Sequence, residues 1–442
     1  MKIFLLSILL LLIIILFAIY WLLFVYKNDI INNGTLTIPS AIEIDKFIND
    51  YSIQRKAKVS RICSTQFLNA VKQYSEFHKD SINILSNNNS SNDIKIILWR
   101  CPPEYKDDCK GLGDRLQGLV TTFLIAIVTN RVMLIEWNNM HTIFEPNKFD
   151  WTYNFSFVQG KTVGGVGGNL EWRYCQNEKY PEVCMNPDPT SYTADVIMLN
   201  ASNRPMSYSM FHDKRFFWWK KALNDKGLTH DYCFGCVLDQ IFLLKKRVME
   251  TMAPYAFELN NFKSSVSLGI HVRLGDSEMT GHSKLNMFDY DKIFKTDVQQ
   301  RFNSAKILGC KVSNNITILF LSDSAKLRNI VRNYYIHAIE ISNNCTIAKV
   351  IIPSIQPKHI DIREYKLIAT SSDVQKQREY SYLTTAGEWW LLTLCNYTII
   401  QGDESGFSRT AFAFSFNQGA NFKADLFHDP GHASLGHYQQ GL

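Results

Sequence analysis

His271 and Arg273 stand two residues apart at the end of an apolar run, SVSLGIHVR, and Gly275 and Asp276 turn the chain directly after them. A run rich in β-branched and aliphatic residues forms strand, and residues two apart on a strand share a face. The pair therefore projects from the carboxyl end of a strand, which is where α/β sheets hold ligands. Two further apolar runs end in the same manner. NITILFLSD closes on Ser322 and Asp323, with Ser324 next, and YTIIQG leads into Glu404 and Ser405, then Gly406, Ser408 and Arg409. Parallel neighbouring strands would bring all three clusters to one rim. An Arg fork grips a diphosphate with two charge-assisted hydrogen bonds, each worth about 1.5–3 kcal/mol. Asp323 can accept from the amide edge of a purine or from ribose hydroxyls, and a Gly-Phe-Ser-Arg turn opening a helix offers free N–H groups to phosphate. Each cluster also has a plainer reading: Arg273 as a surface ion pair, Asp323 and the serines as helix caps. The repetition at three successive strand ends favours the ligand reading.

The elements that position these groups follow from periodicity. In the first half, IKIILWR (94–100) and RVMLIEW (131–137) are apolar strands. Between them Leu116, Leu119, Val120, Phe123, Leu124, Ile127 and Val128 fall at helical spacing, giving a βαβ unit. Its turn, Gly111-Leu112-Gly113-Asp114-Arg115, is not the dinucleotide fingerprint, because the next glycine is Gly118, five residues after Gly113 instead of three. It reads either as an ordinary tight turn or as a loop lending its backbone and Arg115 to a ligand. A GxxxxGK[ST] phosphate loop is absent, which speaks against kinases and sulfotransferases. In the second half the rhythm resumes with a helix over SAKLRNIVRNYY, a strand over 348–354, a helix over 384–396, and another beginning within 404–415. MAPYAFELNNF (252–262) reads as a linker. The economical architecture is two α/β domains around a cleft: a segment 1–26, a stem 27–93, a domain 94–255 and a nucleotide-binding domain 256–442.

The bulk properties agree. The chain has 442 residues, 46% hydrophobic and 13% aromatic, which is globular composition and too long for one ordinary core. The net charge of +6 is spread without a Lys/Arg block, so nucleic acid is not expected as a partner. Ile3 to Tyr26 is an uncharged apolar run; as a helix it reaches about 36 Å, longer than a hydrocarbon core of roughly 30 Å. It reads as an uncleaved signal anchor with the rest of the chain lumenal. Eight N-x-S/T patterns follow, at Asn33, Asn88, Asn89, Asn154, Asn200, Asn315, Asn344 and Asn396, together with ten Cys. Cys101/Cys109 and Cys175/Cys184 suit loop staples, and Cys233/Cys236 suits a short-range disulfide more than a redox dithiol or half a zinc site. No metal is expected: Pro430 and Gly431 separate His428 from His432, and the lone Asp289-Tyr290-Asp291 is a chance-level pattern. FFWWKK (216–221) looks exposed.

LGIHVRLGD, ILFLSDSAKLR and ESGFSRTAFAF, in that order, resemble the three peptide motifs of the GDP-fucose-dependent fucosyltransferase superfamily, and GLGDRLQGLVTTFLIAIVTNRVMLIEW resembles the glycine-rich N-terminal motif of several members. The resemblance covers about 60–70 residues of the chain. It implies a GT-B-like fold of two Rossmann-like domains, GDP-fucose as donor, a glycan or glycoprotein acceptor, and inversion at the fucose anomeric carbon without metal or other cofactor. By motif position Arg273 would meet the β-phosphate and His271 the nucleotide. Asp323 would meet guanine or ribose, and Ser405, Gly406 and Ser408 the phosphates, with Gly111, Gly113 and Arg115 across the cleft. Asp276 and Glu278 are candidates for the catalytic base by proximity alone, since the chain departs here from the longer charged stretch of the α-1,6 enzymes. A transferase of the same fold with another nucleotide sugar, and a non-catalytic membrane-anchored glycan-binding protein, are the alternatives.

Overall fold

The computed structural model describes residues 39–87, 93–101, 111–137, 139–165, 193–200, 217–229, 233–261, 265–275, 283–335, 341–342, 345–355, 372–399 and 406–416. The N-terminal apolar run lies outside them.

Two helices open the described chain. α1 (Ala41–Ile62) starts in a capping box, Ser40 and Glu43 satisfying each other's backbone N–H; α2 (Thr65–Ser86) is capped by the Ser64 hydroxyl, which accepts from Phe67 N. The stretch expected as a stem is, over these helices, part of the core. Phe67, Val71, Tyr74 and His78 recur at helical spacing and are buried, as are Ile48 and Val59 of α1. The Tyr74 hydroxyl donates to Arg131 O at 2.8 Å and accepts from Met133 N at 3.1 Å, which fastens α2 to the first sheet.

That sheet is built on the expected βαβ unit: β1 (Ile96–Cys101), α3 (Leu112–Thr129) and β2 (Val132–Trp137). A short helix α4 (Met140–Ile143), then β3 (Phe144–Pro146), β4 (Val163–Gly165) and β5 (Val196–Asn200) follow, and the parallel order is β2-β1-β5-β4. α3 is buried along nearly its whole circumference. Gly118 makes this possible on one side: a methyl group there would stand 2.6 Å from the Trp99 indole nitrogen. α5 (Phe217–Asn224) buries Trp219 and leaves Phe217 and Trp218 exposed. α6 (Cys233–Ile241) leads into β6 (Phe242–Leu244), which pairs antiparallel with β3.

The linker expected over 252–262 is instead the body of a helix, α7 (Lys246–Asn261), which runs through Pro254. Val248, Met249, Met252, Ala256 and Leu259 make a buried stripe at helical spacing, and that burial outweighs the hydrogen bond the proline removes.

The second sheet contains β7 (Val266–Val272), β8 (Asn315–Ser322), β9 (Ile341–Ser342), β10 (Cys345–Ile351) and β11 (Tyr397–Ile399) in the order β11-β7-β8-β10-β9, parallel except for β9. Its helices are α8 (Met287–Ile293), which passes through a π turn into α9 (Gln299–Val312), then α10 (Ala325–Tyr335). The last two helices, α11 (Ser372–Leu394) and α12 (Gly406–Ser415), return to the first half. Trp389, Trp390, Ala411 and Phe414 share one core with residues of α1, α3 and α6.

The cysteines correct one expectation. Cys236 bonds to Cys63, at the turn between α1 and α2, and not to Cys233, which keeps a buried free thiol pushed up to about 12 by burial. A second disulfide joins Cys310 of α9 to Cys345 at the start of β10. Cys101 is disulfide-bonded, while Cys109, Cys175 and Cys184 lie outside the described residues.

Candidate functional site

β7 lies between β11 and β8, all three parallel, so the strand ends that carry the polar clusters are neighbours. His271 is the penultimate residue of β7 and Arg273 follows its last. Beyond them the chain turns through Gly275 at φ +112°, a left-handed conformation that favours glycine. Asp323 holds this turn in place: its two carboxylate oxygens accept from Leu274 N at 2.7 Å and Gly275 N at 2.8 Å. The Asp323 side chain is buried, which pushes its pKa up, while the two N–H bonds and the Arg273 charge pull it back. Arg273 thus acts electrostatically on both Asp323 and His271.

The His271 ring is neutral. Burial, with Arg273, Arg301 and Arg328 adding positive charge, lowers its pKa to about 3. Its Nδ1 is buried and meets no hydrogen-bond partner among the described residues, which costs about 1–3 kcal/mol. Phe407, one residue into α12, packs its ring 5.2 Å from the imidazole. The third cluster therefore meets the first.

The glycine turn of the first half arrives at the same point. A methyl group on Gly113 would lie 2.1 Å from Gly406 C and 2.3 Å from both Gly406 O and Phe407 N. Only the absence of a side chain lets the N-termini of α3 and α12 touch backbone to backbone. A methyl group on Gly406 would in turn lie 3.1 Å from Gln117 Nε2 and 3.2 Å from Asp114 Oδ1. Two helix N-termini, each favouring negative charge, thus abut beside the β7 end.

Other expected residues fall differently. Arg115 is 2% exposed, donates to the Tyr382 hydroxyl at 3.2 Å and lies 5.0 Å from the Trp137 ring, tying α11 to the first sheet. Helical geometry turns residue 115 some 200° from 113, so Gly113 meets the start of α12 while Arg115 meets α11 and β2. Ser408 is buried in the first turn of α12. Asp276, Glu278 and Ser405 lie outside the described residues, as do His428 and His432. Asp289 caps α8 at Asn286 N, 2.9 Å away, and Asp291 pairs with Lys295 at 2.6 Å, so both carboxylates of the D-x-D pattern serve the helix.

Residues not singled out in the sequence hold the rim together. Arg301 donates to His271 O at 2.9 Å while paired with Asp297. Arg328 donates to Ser322 O at 2.7 Å, to the carbonyls of Pro353 and Ile355, and to both oxygens of Glu388 at 2.6 and 2.8 Å. Their signal was available: each is a charged residue on an otherwise buried stripe, Arg301 beside Val298, Phe302 and Ala305, Arg328 between Leu327 and Val331.

Two largely parallel sheets, with the helices α3 and α12 meeting at a glycine contact, make up a fold similar to that of fucosyltransferases. Neither a protein-family model nor a curated protein sequence matches the chain. Among solved structures it resembles a point mutant of Arabidopsis thaliana FUT1 in complex with GDP, with a TM-score of 0.53 and 14% identity over 80% of this chain and 78% of that one. NodZ α-1,6-fucosyltransferase soaked with GDP-fucose gives a TM-score of 0.42 and 14% identity, over 73% of this chain and 93% of that one. The NodZ fucosyltransferase from Bradyrhizobium gives 0.41 and 14%, over 72% and 92%. At these identities the likeness is one of fold.

Proposed function

We propose that this protein is an inverting, metal-independent fucosyltransferase that moves L-fucose from GDP-fucose to a hydroxyl of a glycan or protein. Its place is the secretory lumen, with residues 1–26 as a single-pass type II anchor in the Golgi or ER membrane. The first α/β half serves the acceptor and the second the donor, although α11 and α12 lend their core to both. The observation that carries the reading is the convergence of the His271/Arg273 strand end, the Asp323 clamp and the Gly113–Gly406 contact on one rim. The Cys63–Cys236 and Cys310–Cys345 disulfides, the bonded Cys101, and exposed acceptor asparagines at Asn154, Asn315 and Asn396 suit an oxidising, glycosylating compartment.

In this reading the charge that grows on the departing diphosphate is met by Arg273 and the N–H groups opening α3 and α12, fixed before the reaction begins. His271, neutral and with Nδ1 unpartnered, contributes a hydrogen bond to the nucleotide and no charge. Asp323 holds the Arg273 turn through Leu274 and Gly275, with lone pairs left for guanine or ribose.

The test is GDP binding by the full chain in detergent, measured by titration calorimetry. GDP binds at micromolar concentration and UDP does not compete. Arg273→Ala removes two charge-assisted bonds and weakens GDP by at least about a hundredfold with an unchanged circular dichroism spectrum. Unchanged affinity in that variant overturns the reading. Competition by UDP points to another nucleotide sugar on the same fold.

A further inference from the structure

From the way carboxylates are distributed around this rim we infer that Asp114 is the general base that takes the proton from the acceptor hydroxyl, an assignment that rests on the fucosyltransferase reading above. Asp114 sits in the first turn of α3, and its Oδ1 lies directly over Gly406, 3.2 Å from where a methyl group on that glycine would be. It therefore stands where the two helix N-termini meet, beside Phe407 and through it His271.

The other described carboxylates that bear on this rim are already engaged. Asp323 spends an oxygen on each of two backbone N–H groups. Asp297 holds Arg301, Glu388 holds Arg328 and Glu136 holds Arg100. Asp114 is partly exposed, and among the described residues it accepts no hydrogen bond and joins no ion pair. Among the described residues it is thus a partly buried carboxylate without a partner, while the carboxylates above are engaged, and both its oxygens are kept for a ligand. A neutral hydroxyl bearing a proton suits it.

In the step, the acceptor oxygen forms a bond to the sugar's anomeric carbon as that carbon's bond to the diphosphate oxygen breaks. The electron pair leaves with GDP. The acceptor proton passes to an Asp114 oxygen and then to solvent. The neighbouring Gln117, whose Nε2 also faces Gly406, can orient the incoming hydroxyl.

The experiment uses the full chain in detergent with GDP-fucose and an acceptor panel. Asp114→Asn keeps the shape of the side chain and loses the base: kcat falls by about a hundredfold or more while Kd for GDP is unchanged. In Asp114→Ala, added sodium formate restores part of the lost turnover, a response that a merely structural carboxylate does not give. The assignment is overturned if Asp114→Asn transfers at the rate of the unsubstituted chain, if its GDP affinity falls in step with turnover, or if Asp276→Asn or Glu278→Gln abolishes transfer and is rescued by formate instead. If the unsubstituted chain binds no GDP, the fucosyltransferase reading falls and the base falls with it.

Discussion

Replacing Gly113 by alanine tests the contact on which the site depends. The added methyl group lands 2.1–2.3 Å from three backbone atoms of Gly406 and Phe407, where ordinary van der Waals contact begins near 3.4 Å. One backbone must retreat by about 1.3 Å, and neither is a flexible side-chain end that can swing aside. Gly113 and its neighbours in α3 are buried, and α12 is held from behind by Thr410, which accepts from the Trp389 indole at 3.1 Å. Overpacking of this kind costs about 1–3 kcal/mol, and a misplacement of roughly 1 Å can cost about a hundredfold in function. Gly113→Ala is therefore expected to lower the melting temperature by several degrees, roughly 2–4 °C per kcal/mol in larger domains, and to weaken GDP more than it weakens the fold. Differential scanning fluorimetry with and without GDP measures both. Gly160→Ala is the control: nothing lies within 4 Å of its added carbon, so only the strain of its φ of +76° remains. A Gly113→Ala protein with unaltered melting temperature and GDP affinity would refute the backbone contact and the converged site with it.

Two further outcomes follow from buried charge. Glu388→Ala leaves the Arg328 guanidinium, 3% exposed, without its carboxylate and is expected to cost about 3–5 kcal/mol in denaturant unfolding; a loss below about 1 kcal/mol would show the pair to be dispensable. His271 has a folded pKa of about 3 against about 6.5 in the unfolded chain, so below pH 6.5 the unfolded chain binds a proton that the folded chain does not. The stability tied to this ring is fully present above pH 6.5 and is lost as pH falls toward 3, by at most about 1.4 kcal/mol per unit. Between pH 7 and 5 the wild type should thus lose up to about 2 kcal/mol more than His271→Asn, and equal losses would remove the buried neutral imidazole.

What could be read from the sequence was local. The three strand ends were legible because a buried strand must be continuously apolar and a polar terminator then marks its end, and the topology put β11, β7 and β8 side by side. The turn at Gly111–Arg115 was legible as a turn, but not which of its residues meets α12: Gly113 touches Gly406 while Arg115 reaches Tyr382. That choice is set by a helix 293 residues later in the chain, which no spacing rule sees. The Cys63–Cys236 bond was hidden for the same reason, its partners being 173 residues apart. The helix over the expected linker is hidden in the sequence because proline breaks isolated helices, whereas packing sustains this one through Pro254. The Arg328–Glu388 pair is not legible in the sequence, because charged residues usually face water and the two meet only once α10 and α11 are placed together.

The packing of α1 and α2 sets where this chain can be shortened. A boundary near residue 93, natural if everything before it were a tether, would strip Ile48, Val59, Phe67, Val71 and Tyr74 from the interior and orphan Cys236. A cut ahead of Ser40 keeps the Ser40–Glu43 box and every one of those contacts. Any shortened form that is to keep this core must therefore begin on the N-terminal side of Ser40.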